Sequence, residues 1–400
     1  MFRPLLLVAF CLAAAASTAT GQSEPDAWMG EGYATGIEAP VDIVFGPDGT
    51  LYYAELESGM VRAIPPGATT PLPDAIAKVD SSRSENGGFL GLALDPEFEL
   101  TGAFFVYYSF EKPSATNGFV NRVSRLDAAG ERVLVDDIPW FERHDGGRLV
   151  FTGPDTLVVT TGDNELREPA QDPESLLGKT LRMTREGKPA PDNPDPTSLI
   201  YTLGHRNAFG LAYDAESETL WSTENGPQTR DEINIIVAGG NYGWPKHLGI
   251  SYSRSYVDPI VVYEDTIGPT GGTVFESDFY FGAVNDASVR SVTREANGSY
   301  ADAVVWKGPE PVLDVEAGPD GRLYVGGFST IYVLTPPGYV APATPITPTP
   351  GGSGTGTTPA SPTVESATPE DPAGAARIPG AGVALVVGAL VLALAVGRRG

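Results

Sequence analysis

Cysteine is almost missing from this 400-residue chain, which has only Cys11. That residue falls in a leader, residues 1–21, where Arg3 precedes an apolar run from Leu5 to Ala16 and Ser17-Thr18-Ala19 offers a small-residue cleavage site. Phe10 stands before Cys11 where a lipid-attachment motif wants a small residue, so the leader reads as a cleaved signal peptide. The mature chain then has no thiol, which excludes disulfides, thiolate zinc sites, iron–sulfur clusters and covalently attached c-type haem. Histidine is scarce as well, at three residues. Amphipathic helical periodicity is nearly absent between Trp28 and Pro336. Positive charge is outweighed, with 26 Lys and Arg against 51 Asp and Glu, for a net charge of −25. A surface so acidic repels nucleic acid and anionic headgroups, so neither is expected as a partner.

The C-terminal part has its own composition. Residues 336–377 are rich in Pro, Thr, Gly and Ser, too poor in apolar surface to offset chain entropy, and are expected to form a disordered stalk. Residues 378–397 are apolar and uncharged until Arg398 and Arg399 close them. They are expected to form one C-terminal transmembrane helix, its basic end cytoplasmic and the bulk of the chain outside. Residues 22–335 remain, enough for one sizeable domain.

In that domain a turn followed by an alternating or aromatic strand recurs. It reads GPDGTLYYAE from Gly46, DPEFELTGAFFVYYSF from Asp95 and TGPDTLVVTTGD from Thr152. It returns as YDAESETLWSTENG from Tyr213, FESDFYFGAVN from Phe275 and GPDGRLYVGGF from Gly318. Turn dipeptides of the Asp-Gly kind supply tight hairpins, and a spacing of tens of residues suits propeller blades better than the closer strands of a sandwich. The expected fold is all-β, a six-bladed β-propeller whose channel mouth is lined by loops from every blade.

Three stretches could carry chemistry. His144 lies in ERHDGGRLVF and Asp163 ends the following strand, so the two bracket one hairpin arm. An imidazole there is either structural or a base oriented by the carboxylate, which by itself is an ordinary turn aspartate. His205, Arg206 and Asn207 precede another strand; Arg206 serves either as a clamp for an anion or as an inter-blade ion pair. In ENGPQTRDE, the carboxylates Glu224, Asp231 and Glu232 crowd a turn with free carbonyls, giving either a calcium site or a solvated acidic loop.

ENGGFLGLALDPEF, RHDGGRLVFTGPDTLVVTTGDN, LGKTLRM with PDNP, GHRNAFGLAYD and ENGPQTRDEINIIVAGGNYGWP occur in this order. Together they resemble the glucose/sorbosone dehydrogenase family, six-bladed soluble aldose dehydrogenases that use pyrroloquinoline quinone (PQQ) and calcium. The resemblance implies that His144 is the base for the sugar C1 hydroxyl and Asp163 its carboxylate partner. It implies that Arg206 and Asn207 touch the quinone near its reactive carbonyl, with Asn86 standing where the family has a glutamine. The carbonyls of Gly226 and Pro227 would hold the cofactor's calcium. Glu232 and the Tyr242 carbonyl would hold a second, structural calcium. The substrate would be a small sugar and the electron acceptor is left open.

Two departures oppose this. The family meets the three cofactor carboxylates with a lysine and two arginines in the last blades, where this chain has Asn285 and Leu313-Asp314. Arg290, Lys307 and Arg322 are the cations nearby in sequence. An enzyme is therefore expected, with a calcium-binding propeller that has lost the quinone and binds a glycan or protein as the alternative.

Overall fold

The computed structural model describes residues 27–82 and 87–342. Asn86, the leader, the stalk beyond residue 342 and the C-terminal apolar segment lie outside the described residues. Within them, no helix is long and apolar enough to cross a membrane; the only helical turns are Phe98–Thr101 and a 3₁₀ turn at Glu168–Gln171.

Six four-stranded antiparallel sheets account for the strands. Blades 1 to 6 begin with the strands Pro40–Phe45, Phe89–Leu94, Gly146–Gly153, Ala208–Asp214, Pro269–Phe275 and Asp314–Ala317. These six first strands touch one another in a closed ring and line the channel. The second strands are Leu51–Glu55, Phe104–Glu111, Thr156–Thr161, Thr219–Glu224, Asp278–Ala283 and Leu323–Gly326. Each recurring sequence unit is thus one blade's first turn together with its second strand, one per blade. Their alternation reflects burial between neighbouring blades: Tyr53, Phe105, Tyr107, Phe279 and Phe281 are all fully buried.

Ring closure comes from the N-terminal strand Met29–Thr35. It adds as the fourth strand to blade 6, pairing antiparallel with Thr330–Thr335. Chain ends meeting in one blade leave no open sheet between first and last blades, which removes the edge that would invite aggregation.

The channel is closed part-way along its length. Arg148, on the first strand of blade 3, lies 3.2 Å from Asp42 of blade 1 and 3.3 Å from Asp314 of blade 6. It also donates to the carbonyls of Phe209 and Leu313. One buried guanidinium therefore ties four blades. A cavity of about 280 Å³ lies on the far side, lined by Asp42, Arg148, Asp314 and Glu316 among others.

Candidate active site

First strands start, and second strands end, at one face of the ring; this is the mouth. His144 lies just before the first strand of blade 3 and Asp163 just after its second strand. Arg206 and Asn207 immediately precede the first strand of blade 4, and Gly226 follows its second strand. Topology alone sends all of them to the same face, and the side chains meet there.

His144 Nδ1 donates to Asp163 Oδ1 at 2.7 Å, and Arg206 Nη2 donates to His144 Nε2 at 2.9 Å. A guanidinium has no lone pair to offer, so Nε2 must be the accepting nitrogen and the proton sits on Nδ1. That is the tautomer of a general base. Burial holds the His144 pKa below its ordinary value; the Asp163 hydrogen bond opposes this and the Arg206 charge reinforces it. The ring is thus neutral and basic at Nε2 around neutral pH. Its backbone takes a left-handed φ of 62°. Gly162 is what permits the approach: a Cβ there would overlap the His144 carbonyl oxygen.

Asp163 is fully buried and fully engaged. Oδ1 also accepts from the Glu165 amide at 2.9 Å, and Oδ2 accepts from Trp244 Nε1 at 2.7 Å. Trp244 was not singled out among the candidate residues, although NYGWP contains it. Its ring lies 5.6 Å from the Arg206 guanidinium and 5.8 Å from that of Arg167, an exposed arginine of the same mouth.

The acidic loop resolves into unlike parts. Glu224 is a brace rather than a free ligand: Oε1 accepts the amides of Arg206 and Asn207, each at 2.7 Å, and Oε2 pairs with His205 at 2.8 Å. His205, stacked on Tyr242, is thereby structural. Asp231 likewise accepts the amides of Gly226 and Gly268, and burial pushes its carboxyl up to about 6. Glu232 is different. One oxygen accepts the Gly249 amide at 2.7 Å, while the other has only Asn234 Nδ2 at 3.5 Å. Burial, then the nearby Glu224, pushes Glu232 up to about 7.

Among the described residues no three His, Cys, Asp or Glu side chains are grouped to hold a metal. The oxygen donors nevertheless suit calcium. Glu232, Glu224, Gly226 and Tyr242 line a pocket of about 10 Å³, close to the space one water or ion needs, beside a His247 Nε2 that has no partner. The Gly226 carbonyl, with that of Asn225, accepts Arg206 Nη1 at 2.9 Å, so these oxygens already face a cation. Pro227 is partly buried beside them.

A quinone tricarboxylate finds half of what it needs. Arg206, the Asn207 amide and the carbonyl pair fit its reactive edge. Asn207 Nδ2, however, donates to Asn225 Oδ1 at 2.8 Å, while its own Oδ1 accepts the Gly146 amide. On the other side, Leu313 is fully buried and Asn285 donates to the Thr266 carbonyl, so neither supplies a cation. The neighbouring cations are engaged elsewhere: Arg290 with Asp302, Lys307 near Asp286 and Arg322 with Asp320.

The glucose/sorbosone dehydrogenase family model matches residues 37–327. An aldose sugar dehydrogenase of Escherichia coli is 29% identical over 330 residues, covering 72% of this chain and 87% of that protein. An oxidoreductase (glucose dehydrogenase) structure from Thermus thermophilus is 34% identical with a TM-score of 0.69, covering 77% of this chain and 100% of that one. The PQQ-bound aldose sugar dehydrogenase of Streptomyces coelicolor is 28% identical with a TM-score of 0.69, covering 77% and 98%. The chain belongs to the glucose/sorbosone dehydrogenase family, and by that membership it is an oxidoreductase.

Proposed function

We propose that this protein oxidises the C1 hydroxyl of an aldose sugar, or a similar alcohol, with PQQ and calcium bound at the mouth. The observation that carries the reading is the neutral His144, set by Asp163 with its free-base nitrogen turned to Arg206. When bound, the quinone supplies an electrophilic carbonyl that accepts two electrons together with the C1 hydrogen. His144 Nε2 takes the hydroxyl proton. Asp163 holds the ring and stabilises the imidazolium that results. Arg206 places positive charge where oxygen becomes electron-rich, and must turn from Nε2 to admit the hydroxyl. Oxidation of the C1–OH to a lactone carbonyl releases two electrons and two protons, so an external acceptor has to reoxidise the site.

Glu232 and the carbonyls of Tyr242, Gly226 and Pro227 would hold calcium. The protein is proposed to act on the outer face of the cell membrane, exported by its leader and anchored by residues 378–397. The test is sugar-dependent dye reduction by the purified protein loaded with PQQ and calcium. Turnover that needs both supports the proposal; a loaded protein inert towards aldoses opposes it.

A second reading has its own observation, the buried Leu313 and tied Asn285 at the cofactor's carboxylate side. It is a calcium-binding propeller that holds a glycan or protein at its mouth. Absence of PQQ binding with calcium binding retained would favour it.

A further inference from the structure

Beneath the mouth of blade 3 lies a cation with no ion-pair partner among the described residues. Lys179 opens the third strand of that blade, Lys179–Thr184, and is fully buried. Its ammonium donates to three main-chain carbonyls, Pro169 at 2.8 Å, Ala170 at 3.1 Å and Leu177 at 2.6 Å. Three donors meet three oxygens, a filled tripod. Burial lowers its pKa to about 8, with the charge of Asp172 opposing. An ammonium buried on carbonyls alone is costly and persists where it holds something.

What it holds is the mouth segment between the second and third strands, residues 162–178. Pro169 and Ala170 belong to the 3₁₀ turn and Leu177 to the return leg, so Lys179 clamps both. The segment is also tied by Gly178 N to Gly162 O at 2.8 Å and Gly204 N to Ala170 O at 2.9 Å. It carries Asp163 near its start, followed by Asn164, Glu165 and Arg167 with left-handed φ values of 51°, 59° and 60°. Such a run is strained for residues with a Cβ and needs outside support.

We propose that Lys179 is a positioning residue for the Asp163–His144 pair, its ammonium filling a carbonyl cage that accepts a small hydrogen-bonding cation in its place. Only the turnover readout rests on the dehydrogenase reading. In the full chain, Lys179→Ala is expected to lower kcat on the order of 10–100-fold, with a smaller change in KM. Ammonium chloride should restore both kcat and melting temperature, whereas tetramethylammonium chloride at equal concentration should restore neither. Wild type and Lys179→Met, which keeps the stem's bulk without a charge, should not respond. If Lys179→Ala folds poorly, refolding yield in the two salts reads the same cage. Ammonium raising the melting temperature but not kcat would overturn the positioning role. No ammonium effect on either would overturn the cage. Should the wild type prove inert with quinone and sugar, the dehydrogenase reading fails alone, because Trp244 fluorescence in Lys179→Ala still reports whether ammonium resets Asp163.

Discussion

Blades 3 and 4 and blades 5 and 6 share one architecture and differ sharply at the mouth. In blades 3 and 4 the loops around His144, Asp163, Arg206 and Glu224 are cross-linked by side chains, and every nitrogen of the imidazole and every oxygen of Asp163 has a partner. In blades 5 and 6 the equivalent positions carry Asn285, bound to a loop carbonyl, and Leu313, folded into the core. Proton-handling groups are therefore concentrated on one half of the ring, while the half expected to grip an anionic cofactor offers no cation at Asn285 or Leu313. Loss of binding cations leaves a scaffold intact, since Leu313 packs well; loss of Asp163 would leave Trp244 Nε1 and His144 Nδ1 without their acceptor. Change is therefore easier in blades 5 and 6 than in blades 3 and 4.

The comparison breaks most readily at His144. His144→Ala should lower kcat by about 10²–10⁴-fold with the melting temperature nearly kept, measured by dye reduction and thermal unfolding. An equal loss from any blade 5 mouth substitution would erase the distinction. Asp163→Asn should fall in the same range and add a stability loss, because the amide offers Nδ1–H and Trp244 fewer acceptors. Sharpening comes from the other half: Asn285→Lys should tighten PQQ about 2- to 5-fold by fluorescence titration with kcat unchanged, since a rim cation adds roughly 1 kcal/mol or less.

Acidity gives a further test. Because burial lowers the His144 pKa, the acid limb of kcat/KM should lie below the ordinary histidine value of 6.5. A limb above it would mean that the base is not this ring. The smallest effect on turnover is expected at Asp145, the buried neighbour of His144 in sequence. Burial pushes Asp145 up to about 7, against a hydrogen bond from Asn121, and its Oδ2 has no partner. A carboxyl raised on folding favours the native state when protonated, so stability falls as pH climbs from about 4 to 7. Asp145→Asn should flatten that part of the unfolding profile while leaving turnover near wild type.

Much of this was legible in the sequence, for definable reasons. Blade count follows from local turn chemistry, and Gly-Pro-Asp-Gly before Leu51 and Leu323 needs no tertiary information. His144, Asp163 and Arg206 could be gathered because each sits at a strand terminus, where propeller topology fixes the face. The closing strand Met29–Thr35 was not legible, since it is mostly exposed and lacks alternation. Nor was the split among Glu224, Asp231 and Glu232: a carboxylate in an acidic turn reads alike whether it accepts amides or a metal. Arg148 and Lys179 hide within strand patterns, and only the packed ring shows what their charges meet.

The central claim, that the mouth of blades 3 and 4 is a working sugar-oxidising site, is tested most directly by mixing PQQ- and calcium-loaded protein with aldose in the absence of any electron acceptor. The spectrum of the bound quinone should change within one turnover in wild type, more slowly with aldose deuterated at C1, and on the order of 10²–10⁴-fold more slowly in His144→Ala. Quinone that binds yet stays oxidised under saturating sugar, or is reduced equally fast without His144, would contradict the account.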